Sequence, residues 1–208
     1  MARTSHSRVA RAATASAVAV GLAIALAACS PGADAPDASL GFHQILTYYS
    51  PPLANPDLTA EDRLDALGLE ASDTATATME WFIAGDCATS APVTELFVGA
   101  CDPEGTTLYL LAPAALTGQD LASVEPLEEG GLTVEFTADG TERFAQLTAR
   151  TSAAEPPRNQ VAIVLNDQVL SDPAVQEKIT TDAAEITSTD TDRDWEALAS
   201  ALRRAAQG

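Results

Sequence analysis

The stretch GLTVEFTADGTERFAQLTART, Gly131 to Thr151, changes its hydrophobic period half-way along. LTVEFT alternates with period two, as a half-buried strand does, and Phe144, Leu147 and Thr148 then fall on one face of a helix that Thr137 or Asp139 can start. A strand followed at once by an amphipathic helix calls for a sheet on which that helix packs. The next segment supplies more of it. QVAIVLN has an unbroken apolar core, Val161 to Leu165, which reads as a buried strand. Asn166-Asp167 is a plausible two-residue hairpin turn, although Asn-Gly would fit better. Asp172-Pro173 matches a helix N-cap with proline at the first helical position, so a helix is expected from Pro173.

The remaining segments extend the pattern. TTLYLLAP, Thr106 to Pro113, is a strand led in by Gly105, and TGQDLASVEPL reads as a turn and an irregular strand. AEITS, Ala184 to Ser188, is a last strand, and Trp195, Leu198, Ala199 and Leu202 lie at i, i+3, i+4 and i+7 of a closing helix. From Leu108 onward the order is strand, strand, helix, strand, hairpin, helix, strand, helix. That order predicts an α+β fold with helices on one face of a mainly antiparallel sheet. Nearer the N-terminus, LGFHQILTYY, Leu40 to Tyr49, predicts a strand mostly buried on both faces. A proline-punctuated loop follows. Thr59 caps a short helix through Leu67, with Asp62 at its third position and Gly68 as its stop. MEWFIAGDC, Met79 to Cys87, reads as a short helix leading into a cysteine.

The first residues carry Arg3, Arg8 and Arg11 without an acid, and an apolar run from Ala15 to Ala28 follows. This is the pattern of an export signal, and the run is short for a membrane span of about 20 apolar residues. It ends in LAAC, which resembles the bacterial lipobox. That resemblance implies cleavage before Cys29 and about three acyl chains, palmitate among them, on that cysteine, more than the two signals a stable anchor needs. SPGADAPDAS then forms a flexible tether. All 30 acidic residues of the chain follow Cys29. The formal net charge of −19 opposes nucleic acid and anionic bilayer surfaces as partners. With 46% hydrophobic and 20% charged residues, the chain after Cys29 has enough apolar material for a packed core.

Cys87 and Cys101 remain. Outside the cytoplasm an even pair is read as bridged, a closure worth roughly 3 kcal/mol in the chain-entropy model. A metal site is the weaker alternative, because zinc wants four ligands and His43 is the one histidine beyond the signal. His43 is also the one imidazole that a hydrolase could use, but it sits in a strand beside Phe42 and reads as a partly exposed strand histidine. No G-x-S-x-G, H-E-x-x-H or P-loop occurs. Asp190, Asp192 and Asp194 mimic the start of a calcium loop, yet Trp195 and Ala201 occupy the positions that require glycine and glutamate. Neither cofactor nor metal is expected, and the chain reads as a non-enzyme. Tyr48, Tyr49 and Phe97 are candidates for an exposed aromatic surface that holds unfolded polypeptide, with core packing as the competing role.

The run QVAIVLNDQVLSDPAVQEKI resembles the apolar strand, tight turn, second strand and helix start of the first extracytoplasmic domain of SecD, the accessory subunit of the bacterial export channel. LTVEFTADGTERFAQLT is similar to its strand and Phe-bearing helix, and AEITS with WEALASALR to its closing strand and helix. ACDPEGTTLYLLAPAALTGQDL resembles a run of actinobacterial SecD chains. The likeness runs from Leu40 to Ala206 and is strongest from Thr133. It implies a ferredoxin-like head over 101–207 and a base-like segment over 39–100, after a signal at 1–28 and a tether at 29–38. It also implies contact with emerging polypeptide or export-channel components. The chain departs from the family in its Asn166-Asp167 turn, in Asp172, and in ITTDAAE, which lacks glycine. No membrane domain follows the signal, so the expectation is a lipoprotein on the outer face of the cytoplasmic membrane that assists export or late folding without a motor of its own. The alternative is a structural or solute-binding envelope lipoprotein that keeps only the fold.

Overall fold

A computed structural model describes residues 39–51, 57–92, 94–128, 130–186 and 194–207. The signal segment, Cys29, the tether, Asp190 and Asp192 lie outside the described residues. Nine strands and four α-helices are described: β1 (Leu40–Tyr49), α1 (Ala60–Leu67), α2 (Asp73–Ala84), β2 (Val98–Cys101), β3 (Leu108–Leu111), β4 (Leu116–Thr117), β5 (Leu121–Pro126), β6 (Leu132–Phe136), α3 (Ala138–Ser152), β7 (Val161–Leu165), β8 (Gln168–Ser171), β9 (Ala183–Ile186) and α4 (Trp195–Ala205). Among these helices none is long and apolar enough to cross a membrane.

The α+β class stands, but the single sheet with helices on one face is corrected. There are two sheets. β3, β2, β8, β7 and β1 follow one another and β1 also pairs with β3, so five strands close into a ring, with β4 added along β1. β5, β6 and β9 form a separate antiparallel sheet. The strands before and after α3 therefore lie in different sheets, and the ferredoxin-like split β-α-β across one sheet is not what the chain makes. The physical reason lies in β7. All five of its residues are buried, so both of its faces need cover. Ala162 and Val164 point into the ring with Ile45, Ala100, Leu111 and Val169. Val161, Ile163 and Leu165 point outward into the main core, beneath the three-stranded sheet, α3 and α4. β6 instead alternates, with Leu132, Val134 and Phe136 buried, and needs cover on one face only.

β1 is the strand that makes closure possible. Its first half pairs with β7 from Leu40–Leu165 to Gln44–Val161, and its second half pairs with β3 from Ile45–Leu111 to Tyr49–Leu108. A register shift between Ile45 and Thr47 bends it from one partner to the other. The boundary expected at 100/101 falls inside β2, and residues on both sides of it build the ring.

The helix ends follow local chemistry. Thr59 and Asp62 form a capping box on α1, and Gly68 closes it in the left-handed conformation. α2 begins at Asp73, earlier than its apolar run suggests, because Ser72 accepts a hydrogen bond from Ala75 N; it stops at Ala84, before Cys87. Both helices cover the outer face of β2 and β3 through Leu64, Met79, Phe82, Phe97, Leu108 and Leu110. Cys87 and Cys101 form a disulfide that fastens the chain beyond α2 to β2.

The helix expected from Pro173 is absent. Val161 N donates to the Pro173 carbonyl and Val175 N to the Asn159 carbonyl, with an antiparallel bridge between Gln160 and Ala174. Pairing with the extension of β7 claims this backbone, so the Asp-Pro signal is overridden. Asn166 and Asp167 both have positive φ, 50° and 65°, as a primed two-residue hairpin turn requires.

Candidate functional site

The route to the site starts at the same segment, 173–179. It runs as an extended strap antiparallel alongside residues 159–161, the entry to β7, and is tied at both ends. Gln160 Nε2 donates to the Asp172 carbonyl at 3.2 Å, and Ile179 N donates to Thr148 Oγ1 at 3.0 Å. Thr148 is fully buried on α3, and its hydroxyl donates in turn to the Phe144 carbonyl at 2.9 Å. The strap borders a cleft of about 300 Å³.

Three rings gather at the cleft. Phe136 and Phe144 stack with centroids 4.6 Å apart, and Phe42 meets them edge-on at 5.9 and 6.3 Å. Val134, Val161 and Ile163 extend the apolar lining, and Glu177 and Glu185 are its only charged residues among those described. One wall is β9, which pairs only with β6 among the described residues and so has an open edge beside the cleft. A hollow lined this way takes an apolar side chain, and an open strand edge takes an extended main chain.

The expected contact residues land elsewhere. Phe97 is 0% exposed and packs with α1 and α2, so it presents nothing to a partner and is withdrawn as a contact. Its neighbours explain this: β2 turns that side toward the helices, whose apolar faces need filling. Tyr49 is half-buried, its ring edge-on to Phe82 at 4.9 Å and its hydroxyl donating to the Phe82 carbonyl at 2.5 Å. That role is structural. Tyr48 is 43% exposed and lies 5.7 Å from the Tyr109 ring, the one expected contact that faces solvent. Trp81 is buried, with its indole N–H donating to the Thr89 carbonyl.

His43 lies inside the structure at 6% exposure, with Nδ1–H donating to the Ala112 carbonyl at 2.8 Å. Burial lowers its pKa below the ordinary 6.5, against a smaller opposing effect of that hydrogen bond. Its ring lies against Gly41, where an added Cβ would come within 2.2 Å of Nε2. This is a packed strand histidine. Asp120, also buried, accepts from Thr117 N at 2.8 Å and pairs with Arg143 at 3.1 Å, which ties the turn before β5 to α3. Among the described residues no three histidine, cysteine or acidic side chains gather as a metal ion would require.

The cleft residues were not singled out from sequence, because each of them reads as core. Phe42, Val134, Phe144 and Ile163 satisfy apolar periodicity whether or not a gap is left above them.

Several known proteins are similar to part of this sequence. The family model for the SecDF P1 head subdomain matches residues 94–206. Over 100 residues the chain is 32% identical to the protein translocase subunit SecD of Streptomyces coelicolor, an alignment covering 45% of this chain and 18% of that one. It is 38% identical over 106 residues to SecD of Acidaminococcus fermentans, covering 49% of this chain and 22% of the relative. The chain thus spans about a fifth of the length of these relatives. Among solved structures, a membrane component SecDF described as enhancing protein export aligns with a TM-score of 0.43 at 21% identity, over 81% of this chain and 63% of that one. SecDF of Thermus thermophilus, described as translocon-associated, aligns with a TM-score of 0.41 at 19% identity, over 82% of this chain and 20% of that one. With the family match covering more than half of its residues, the chain belongs to the SecDF P1 head subdomain family.

Proposed function

We propose that this chain is a lipid-anchored, extracytoplasmic head that holds segments of unfolded secreted polypeptide in the cleft beside the 173–179 strap, and so assists protein export or late folding. The cleft is the observation that carries the reading: three phenylalanines line it, and the open edge of β9 runs beside it. Family membership supports the connection to export, since its relatives are translocase subunits. The LAAC motif supports cleavage at 1–28, lipid on Cys29 and a tether through residue 38, which would keep the head near the outer face of the cytoplasmic membrane. The work proposed is binding, without a catalytic step, and export-channel components are the natural neighbours.

Burying one Leu- or Phe-sized side chain contributes roughly 1.5–3 kcal/mol, so a single anchor gives a weak, reversible grip. A moving chain must be released as readily as it is held, and weakness suits that task. Ala184 lines the cleft from β9 and is partly exposed. Ala184→Trp would fill the hollow without touching the ring. Fluorescence anisotropy with a labelled, reduced secretory polypeptide should show binding to the full chain and at least about tenfold weaker binding to the variant, the equivalent of about 1.4 kcal/mol. Equal binding by a variant with an unchanged circular dichroism spectrum would contradict the assignment. A small solute that raises the melting temperature while unfolded peptides have no effect would favour a solute-binding lipoprotein instead.

A further inference from the structure

The two edges of the three-stranded sheet are finished differently. On β5, α4 packs along the strand, and Arg203 Nε donates to the Val124 carbonyl at 2.8 Å. A helix laid over an edge is one way a sheet is kept from pairing further. The edge at β9 is left accessible: Ala183 and Ala184 are half-buried and Glu185 is exposed. Register shows which of its groups are free. Val134 pairs with Ala184 and Leu132 with Ile186, and Phe136 N donates to the Asp182 carbonyl at 2.7 Å. Even-numbered residues of β9 thus sit in the hydrogen-bonded pairs with β6. Ala183 and Glu185 fall in the alternate pairs, whose N–H and C=O groups point away from the partner strand. The Ala183 carbonyl accepts from the Thr181 hydroxyl at 2.9 Å. The Ala183 N–H and both main-chain groups of Glu185 have no hydrogen-bond partner among the described residues.

The same register sets the faces. Val134 and Ala184 line the phenylalanine cleft, whereas Glu135 and Glu185 are exposed on the opposite face. A strand laid along the β9 edge would share those faces, because neighbouring strands place their side chains level with one another. One residue would fall beside Ala184, towards Phe136 and Phe144, and the next beside Glu185. Apolar residues suit the first position. Lysine or arginine suits the second, where opposite charges across strands are favourable and the formal net charge of −19 adds to the field.

We propose that the polypeptide segment held at the cleft is added to β9 as a fourth strand of the sheet, with apolar residues directed at the phenylalanines in alternation with lysine or arginine beside Glu185. This rests on the reading of the cleft as a polypeptide site and names the segment it takes: extended, free of proline, and alternating apolar with basic. Main-chain pairing supplies tolerance of sequence, and the cleft and Glu185 supply the preference.

The test uses the full chain and a short synthetic peptide alternating Leu and Lys, with two N-methylated forms, one methylated at every leucine amide and one at every lysine amide. Hydrogen exchange read by NMR should slow at Ala183 and Glu185 when the parent peptide binds. Only alternate amides of an added strand face β9, so one methylated form should bind about tenfold more weakly or worse and the other within about twofold of the parent. A Glu-for-Lys peptide should bind about fivefold more weakly than the parent, and Glu185→Gln should narrow that difference, as should added salt. Equal binding of the two methylated forms, unchanged exchange at Ala183 and Glu185, or equal binding of the Lys and Glu peptides would each overturn the inference. Protection of the same amides by self-association of the full chain without peptide would assign the edge to a second copy and overturn it too. Failure of the underlying reading looks different: secretory polypeptide would bind Ala184→Trp as well as the unaltered chain.

Discussion

His43 shows how far a single residue could be read in advance. Its placement in a strand beside Phe42 predicts a partly exposed strand histidine, and the structure instead buries it against Gly41 with one ring nitrogen bonded to Ala112. What sequence left open was the charge state. Burial lowers the folded-state pKa below the ordinary 6.5 of the unfolded chain, so below that pH the unfolded state binds the extra proton first. The stability that the neutral ring provides is fully present above about pH 6.5 and is lost as the pH falls from there through the folded-state value. Urea midpoints should therefore decline between pH 7 and pH 5 more steeply for the wild-type chain than for His43→Gln, and parallel curves would refute the placement. The aromatics teach the opposite lesson. Tyr48 and Phe97 both lie in less regular sequence, yet one is solvent-facing and the other fully buried. Which of two such rings is outside depends on what packs on the strand, and composition does not carry that information.

Among the elements, those with a local cause were legible and those with a distant cause were not. The Thr59–Asp62 box, Gly68, the Thr137 cap of α3 and the primed turn at Asn166-Asp167 are chemistry within four residues, and each appears where its residues stand. The helix from Pro173 had equally good local signals and does not form. Main-chain pairing of Val161 and Val175 across the strap satisfies the backbone in another way. The disulfide is an element-scale staple, since it closes a loop of sequence separation 14 between the chain after α2 and β2. Replacing both cysteines by serine should cost about 3 kcal/mol in the chain-entropy model. Chemical denaturation should show that loss, with the α1–α2 side of the ring exchanging its amides first. A loss under about 1 kcal/mol would mean that packing of Phe82, Phe97 and Leu108 alone holds α2 in place.

At the scale of the whole molecule, the sequence announced an α+β chain, but closure of the ring was hidden. Leu40 pairs with Leu165 and Tyr49 with Leu108. Periodicity reports that a strand is buried on two faces without reporting which strands cover it. The same limit hid the cleft, because a gap between two sheets exists only once both are assembled. A family match over residues 94–206 connects this architecture to the heads of translocase subunits, while β1 and the α1–α2 pair, outside that match, complete the ring and cover it. Photocrosslinking in growing cells tests most directly the proposal that the cleft beside the strap holds secreted polypeptide. A photoreactive residue at Val175, which lines the cleft, should trap newly secreted chains, and one at the exposed Leu58 should not. Adducts of equal yield at both positions, or none at Val175, would contradict it.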